Sequence, residues 1–136
     1  MLIALAGTCC LDAEWLGPNY YATCGTDKRI FIYGRDRADV RHCFEGHKDE
    51  VNQIRLSPNG MLLASVSDDK TCMIWDVGKW VNEDLSPAQK KKIAQNGGSG
   101  AIVPRLSGGH EKPVSMVQWM PTKYEEGYNL LATCVL

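Results

Sequence analysis

Short apolar runs separated by turn-forming residues predict an all-β chain built from a repeated antiparallel unit. The runs are rich in β-branched and aromatic residues, which favours strands over helices. The turn at residues 57–60 (Ser-Pro-Asn-Gly) suits a hairpin, because proline fixes φ while asparagine and glycine tolerate positive φ. The pattern also recurs: residues 22–33 align with residues 64–75, and residues 109–114 repeat residues 46–51.

The repeat divides the chain into three units. The first (1–45) lacks the Gly-His opening of the others and ends on an outer strand. The second (46–108) is complete but carries an insertion at 78–101, and the third (109–136) reaches only the middle of its second strand. Since a single sheet of this kind cannot bury both of its faces, we expect the chain to be a fragment of a longer protein.

Each unit contributes its strands in the same order. Strands are expected at 10–15, 20–24, 30–33 and 37–46, then at 51–56, 61–64, 73–75 and 102–106, and finally near 117–120 and 130–133. In the first strand, alternation places Leu11, Ala13 and Trp15 on one face.

The insertion at 78–101 departs from the strand pattern. Residues 86–94 suit a short capped helix, and residues 96–100 have the composition of a flexible linker, so we expect the segment to be exposed and mobile. Its triple lysine at 90–92 is interpreted as a solvated face rather than a nucleic-acid contact. Trp80 either anchors a partner or packs over residues of the insertion itself.

Composition excludes several function classes. A formal net charge of −1 gives no global basic field for nucleic acid, and no apolar stretch is long enough to span a membrane. The six cysteines lack the paired spacing of a disulfide framework or a zinc site, which favours reduced thiols in an intracellular compartment. We expect no metal, no cofactor and no enzymatic activity.

Residues 46–76 resemble a WD-repeat, one blade of a β-propeller. The resemblance rests on the Gly-His opening at 46–47, the Ser-Pro-Asn-Gly turn, Leu-Ala-Ser-x-Ser-Asp-Asp at 63–69 and the closing Ile-Trp-Asp at 74–76. It implies an all-β partial propeller of about two and a half blades of four-stranded antiparallel sheet.

His47, Ser65 and Asp69 would suit a hydrolase triad, but the resemblance implies a structural role instead. In WD-repeats the matching positions form a buried hydrogen-bonded chain, in which Trp75 donates to Ser65, Ser65 bonds His47, and Asp69 holds His47. Each side chain has the donors and acceptors for its place.

The flanking units match this chain only in part. The first unit keeps Thr23 and Asp27 but has Tyr33 in place of the tryptophan, and the third keeps His110 and Thr133. We expect these blades to be less firmly held.

The candidate partner-binding surface is one rim of the propeller. It comprises the loops that enter the inner strands and the turn between the second and third strands of the middle blade, and we call these residues the rim. They are Lys48, Asp49, Glu50, Asp68, Lys70, Glu111 and Lys112. Their mixed charge suits a peptide or histone-tail partner.

Within the WD-repeat class the chain is most similar to the transducin β-like corepressor subunits. The similarity lies in Leu11-Asp12 with Trp15, in residues 22–27, in residues 46–54 and in residues 62–69. It implies a nuclear scaffold of histone-deacetylase corepressor complexes, with deacetylase subunits or histone tails as partners. The alternatives are a cytoplasmic adaptor for ubiquitin ligation or trafficking, and a truncated product without function.

Overall fold

The computed structural model describes residues 9–36, 39–81, 101–106, 109–121 and 131–135. These residues form three antiparallel sheets, which confirms the all-β prediction. The first sheet contains β1 (Cys10–Trp15), β2 (Tyr20–Gly25), β3 (Ile30–Gly34) and β4 (Val40–Phe44). The second contains β5 (Val51–Leu56), β6 (Leu62–Ser67), β7 (Cys72–Asp76) and β8 (Ala101–Leu106), with the short helix α1 (Gly78–Val81) after β7. The third contains β9 (Val114–Trp119) and β10 (Leu131–Val135).

Turn chemistry sets the hairpins within each sheet. In the β5–β6 turn the Gly60 N–H donates to the Ser57 carbonyl at 2.8 Å, and Gly60 has φ 73°. The β2–β3 and β6–β7 turns share another geometry, since Lys28 and Lys70 both adopt positive φ, 70° and 69°. A type I turn followed by one left-handed residue is a common hairpin connection.

The core lies between the sheets. Ile32 and Phe44 of the first sheet pack against Ile54, Leu63 and Trp75 of the second. The opposite face of the second sheet packs against the third; the buried residues of that seam are Ala64, Val66, Cys72, Ile74, Val114, Val117 and Trp119. The second sheet is therefore covered on both faces.

The face of β1 that carries Leu11, Ala13 and Trp15 points away from this core. Leu11 and Trp15 are 42% and 53% exposed, and Ala13 between them is also exposed. On the opposite side, Asp12 forms an ion pair with Arg55 at 2.6 Å. The acidic side of β1, and not its apolar side, thus meets the second sheet.

The prediction that the whole insertion is exposed is wrong at its first residues. Residues 78–81 form α1, in which Trp80 is only 9% exposed. The Trp80 ring lies 5.2 Å from the ring of His42 and 5.8 Å from that of Phe44, both in β4. Trp80 is thus a packing residue between the two sheets, because it meets β4 rather than a partner. Residues 82–100, with the expected helix, lysines and linker, lie outside the described residues.

None of the helical structure in the described part of the chain is long and apolar enough to cross a bilayer.

Candidate functional site

Four side chains of the second unit form one continuous hydrogen-bonded chain. The Trp75 indole N–H donates to Ser65 Oγ at 2.8 Å. Ser65 Oγ lies 2.6 Å from His47 Nε2, and His47 Nδ1 lies 2.9 Å from Asp69 Oδ2. Adjacent strands β6 and β7 supply Ser65 and Trp75, whereas His47 comes from the loop before β5.

Donor and acceptor capacity gives this chain a direction. The indole can only donate and the Asp69 carboxylate can only accept. A neutral His47 that carries its proton on Nδ1 donates to Asp69 and leaves Nε2 to accept the Ser65 O–H. Every polar hydrogen in the chain then has an acceptor.

Asp69 is also held by its neighbours. Its carboxylate accepts the Lys48 backbone N–H at 2.9 Å and the Thr71 backbone N–H at 3.0 Å, and the Thr71 hydroxyl donates to it as well. Burial alone raises the pKa of Asp69, but hydrogen bonds from Thr71, Lys48 and His47 outweigh it and leave the pKa below its ordinary value. The carboxylate is therefore the stable form in the fold.

Burial excludes a nucleophilic role for Ser65. Its side chain is fully buried, the His47 side chain is 1% exposed, and the Phe44 ring lies 4.9 Å from the Trp75 ring. A nucleophile must reach its substrate, whereas Ser65 Oγ is enclosed and already accepts a hydrogen bond from the Trp75 indole. The arrangement can hold a loop rigidly but cannot attack a substrate in this state.

The first unit builds only fragments of this chain. Thr23 is buried, and burial raises the pKa of the Tyr33 phenol while a hydrogen bond with Thr23 opposes the rise. Asp27 accepts the Arg29 backbone N–H at 3.3 Å, as Asp69 accepts that of Thr71. The turn geometry is thus shared although the tryptophan position holds a tyrosine.

In the third unit, the described residues include the central link. His110 Nε2 lies 2.7 Å from Thr133 Oγ1, the contact that matches His47 with Ser65. Both residues are partly buried, whereas His47 and Ser65 are buried.

The rim residues of the second unit lie together at one end of the sheet. The Asp68 N–H donates to the Glu50 carbonyl at 3.0 Å, and Ser67 Oγ donates to the Asp49 carbonyl at 3.1 Å. Lys48 and Lys70 are exposed. The loop before β5 and the β6–β7 turn are therefore joined by hydrogen bonds into a single surface.

Asp68, one of the rim residues, is itself held by a hydrogen bond to its side chain. Its Oδ1 accepts the Asn52 side-chain amide at 2.7 Å, and that amide also donates to the Val114 carbonyl at 2.9 Å. Val114 begins β9, two residues after Lys112, and both Lys112 and its neighbour Glu111 are exposed. The two parts of the rim thus meet at Asn52.

Sequence reasoning missed the residues that join neighbouring sheets. Asp12 Oδ2 accepts the Ile54 N–H at 3.1 Å, and Gln53 Oε1 accepts the Val117 N–H at 2.8 Å. Asp12 and Gln53 are each the third residue of an inner strand. A polar residue at this matching position was the only signal in the sequence.

Among the described residues no group of three or more histidine, cysteine, aspartate or glutamate side chains could hold a metal ion. All six cysteines are free.

Comparison with known proteins agrees with the repeat. Residues 38–76 match the family model "WD domain, G-beta repeat". The WD40 repeat-containing protein HOS15 of Arabidopsis thaliana is 39% identical over 67 residues, which cover 49% of this chain and 11% of that protein. The Arabidopsis thaliana transcriptional corepressor LEUNIG_HOMOLOG is 29% identical over 113 residues, covering 83% of this chain and 11% of that protein. Among solved structures, the WD40 β-propeller domain of Doa1 is similar, with 28% identity and a TM-score of 0.48 over 50% of this chain and 23% of that chain.

The matched segment thus spans 11% of the length of each of these two curated relatives. The family match runs from just before β4 to the end of β7, so the sequence repeat crosses from the first sheet into the second. The chain therefore carries a WD40 repeat at residues 38–76, and its fold is that of a partial WD-repeat β-propeller.

Proposed function

We propose that this chain is a non-enzymatic scaffold subunit of a nuclear transcriptional corepressor complex and that it binds partner proteins through the rim. The main support for this proposal is the buried hydrogen-bonded chain, which fixes the loop at residues 48–50 against the β6–β7 turn. Charged loops on a rigid support are typical of binding surfaces.

Charge at the rim favours a polar partner segment. Lys48, Lys70 and Lys112 are exposed, and among the described residues none of the three forms an ion pair. Asp49 and Glu111 supply exposed negative charge beside them. A surface of mixed sign discriminates between partners by charge pattern more than it adds affinity.

Similarity to LEUNIG_HOMOLOG, a transcriptional corepressor by name, supports the corepressor class. The resemblance to the transducin β-like subunits points the same way, and it implies deacetylase subunits or histone tails as partners. The nucleus is the compartment in which such a complex acts.

Affinity purification of the tagged chain from separate nuclear and cytosolic extracts tests this proposal. Deacetylase components should co-purify from the nuclear extract, and a variant with K48E, K70E and K112E should lose them. The matched control is R35E, which reverses an exposed charge in the β3–β4 turn at the opposite end of the first sheet. Recovery of cytosolic partners alone would contradict the corepressor assignment and favour an adaptor role. If the rim variant recovered as much of the deacetylase components as wild type, the rim would not be the binding surface.

A further inference from the structure

Asn52 lies where the two halves of the rim approach each other. It is the second residue of β5, next to a β-bulge, since the pairing of β5 with β6 shifts register between Val51 and Gln53. A regular strand sends successive side chains to opposite faces, and a bulge re-aims one of them. Asn52 and Gln53 consequently both reach toward β9, to Val114 and Val117.

The Asn52 amide is saturated by two acceptors. Its nitrogen lies 2.7 Å from Asp68 Oδ1 and 2.9 Å from the Val114 carbonyl oxygen. Both partners can only accept, so the NH₂ group and not the amide oxygen must face them. One side chain therefore links the β6–β7 turn of the second sheet to the start of β9 in the third.

Other hydrogen bonds between these sheets lie farther from the rim. Gln53 accepts from Val117, and the Trp119 indole donates to the Arg55 carbonyl at 2.8 Å. These contacts hold the middle and the far end of β9. Only the Asn52 link, among those of the described residues, acts beside the loop that carries Glu111 and Lys112.

We propose that Asn52 is a positioning residue that sets the spacing between the two loops of the rim, so that the second and third units present one continuous binding surface. Asp68 is its anchor, because the Asp68 N–H is itself bonded to the Glu50 carbonyl. The loop at 48–50, the β6–β7 turn and the loop at 111–112 then move as one body. The use of that surface rests on the proposed function, but the spacing does not, and its test needs no partner.

The test measures the distance distribution between two spin labels on the full chain, introduced as unnatural amino acids at positions 48 and 112 so that the native cysteines stay untouched. Both positions are exposed. We expect one narrow distribution in the wild-type chain and a clearly broader one in N52A. N52D should broaden it as well, because a carboxylate cannot donate to Val114 and repels Asp68. Exchange of the Asp68 amide hydrogen in N52A should accelerate by roughly two- to tenfold, the change that loss of one ordinary hydrogen bond gives.

Two controls separate positioning from stability. D68N keeps an oxygen acceptor for Asn52 and should retain the narrow distribution. G60A strains the β5–β6 turn at the opposite end of the second sheet from the two labels, so it should lower stability without broadening the distribution. A narrow distribution in both N52A and N52D would overturn the proposal. So would a G60A distribution as broad as that of N52A, since a general loss of stability would then explain the effect.

Discussion

Ser65 is the residue on which the buried chain depends, because it both accepts from Trp75 and donates to His47. Its hydroxyl has one hydrogen and two lone pairs, and these two contacts use the hydrogen and one lone pair. Removal of the hydroxyl would take the acceptor from the Trp75 indole N–H and the donor from His47 Nε2.

We predict that S65A lowers the free energy of unfolding by about 1–3 kcal/mol, the cost of leaving a buried polar group unpaired. S65T is the matched control, since threonine stands at the corresponding positions 23 and 133. It should retain most of the stability. Urea unfolding of the three chains measures the difference, and an S65A chain as stable as wild type would contradict the hydrogen-bonded assignment.

Asp69 should make stability depend on acidity. Its pKa is lowered in the fold, so its contribution is present above the ordinary carboxyl pKa and is lost as pH falls through the lowered value. We predict that D69N is less stable than wild type at neutral pH and that the difference shrinks below about pH 4. Unfolding free energies measured along an acid series check this. A difference that stays constant to the lowest pH would show that the carboxylate charge is not involved.

The members of the buried chain could be predicted from the sequence because each needs a distinctive residue at a fixed position in the repeat. Thr71 and Asn52 could not. Their roles depend on which backbone groups of a neighbouring turn or sheet lie within reach, and strand periodicity carries no such information.

At the scale of elements, α1 packs against turns that the strand pattern did not connect with it. A Cβ at Gly60 would lie 2.8 Å from Val81 Cγ1, and one at Gly17 would lie 3.3 Å from the Val81 carbonyl oxygen. Trp80 meanwhile contacts β4. The helix therefore covers the interface between the first two sheets at the end opposite the rim.

We predict that G60A is destabilising by about 1–2 kcal/mol, because alanine must adopt a left-handed φ and its Cβ would press on Val81. G109A is the control, since a Cβ there would meet nothing within 4 Å. Thermal unfolding of both variants provides the comparison. Equal shifts would contradict the close packing of α1 on the β5–β6 turn.

The order and type of the strands followed from apolar runs and turns, whereas α1 did not. Residues 78–81 have no helical periodicity of their own, and the burial of Trp80 comes from β4, which precedes it by more than thirty residues. The position of α1 thus depends on the packing of the Trp80 ring against a strand distant in sequence.

Across the whole molecule, the two seams set which thiols are accessible. Burial raises the pKa of Cys72 to about 11 and raises that of Cys24 as well. Cys9, Cys10 and Cys134 are exposed. Since the thiolate is the reactive form, a buried thiol with a raised pKa reacts slowly.

We therefore predict that a thiol reagent labels Cys9, Cys10 and Cys134 rapidly in the folded chain and labels Cys24 and Cys72 only on unfolding. Mass spectrometry of peptides from a labelling time course identifies the order. Rapid labelling of Cys72 would contradict the packing of the second sheet against the third.

Hydrogen exchange of the tryptophan indoles tests most directly whether the buried hydrogen-bonded chain that ends at Trp75 supports the rim. Trp15 is half exposed and serves as the reference within the same molecule, whereas Trp75 is 1% exposed and bonded to Ser65. The Trp75 indole hydrogen should exchange only when the protein unfolds, at the rate of the slowest amides of β6 and β7. The indole hydrogen of Trp15 should exchange freely. Comparable rapid exchange at both indoles would contradict the account.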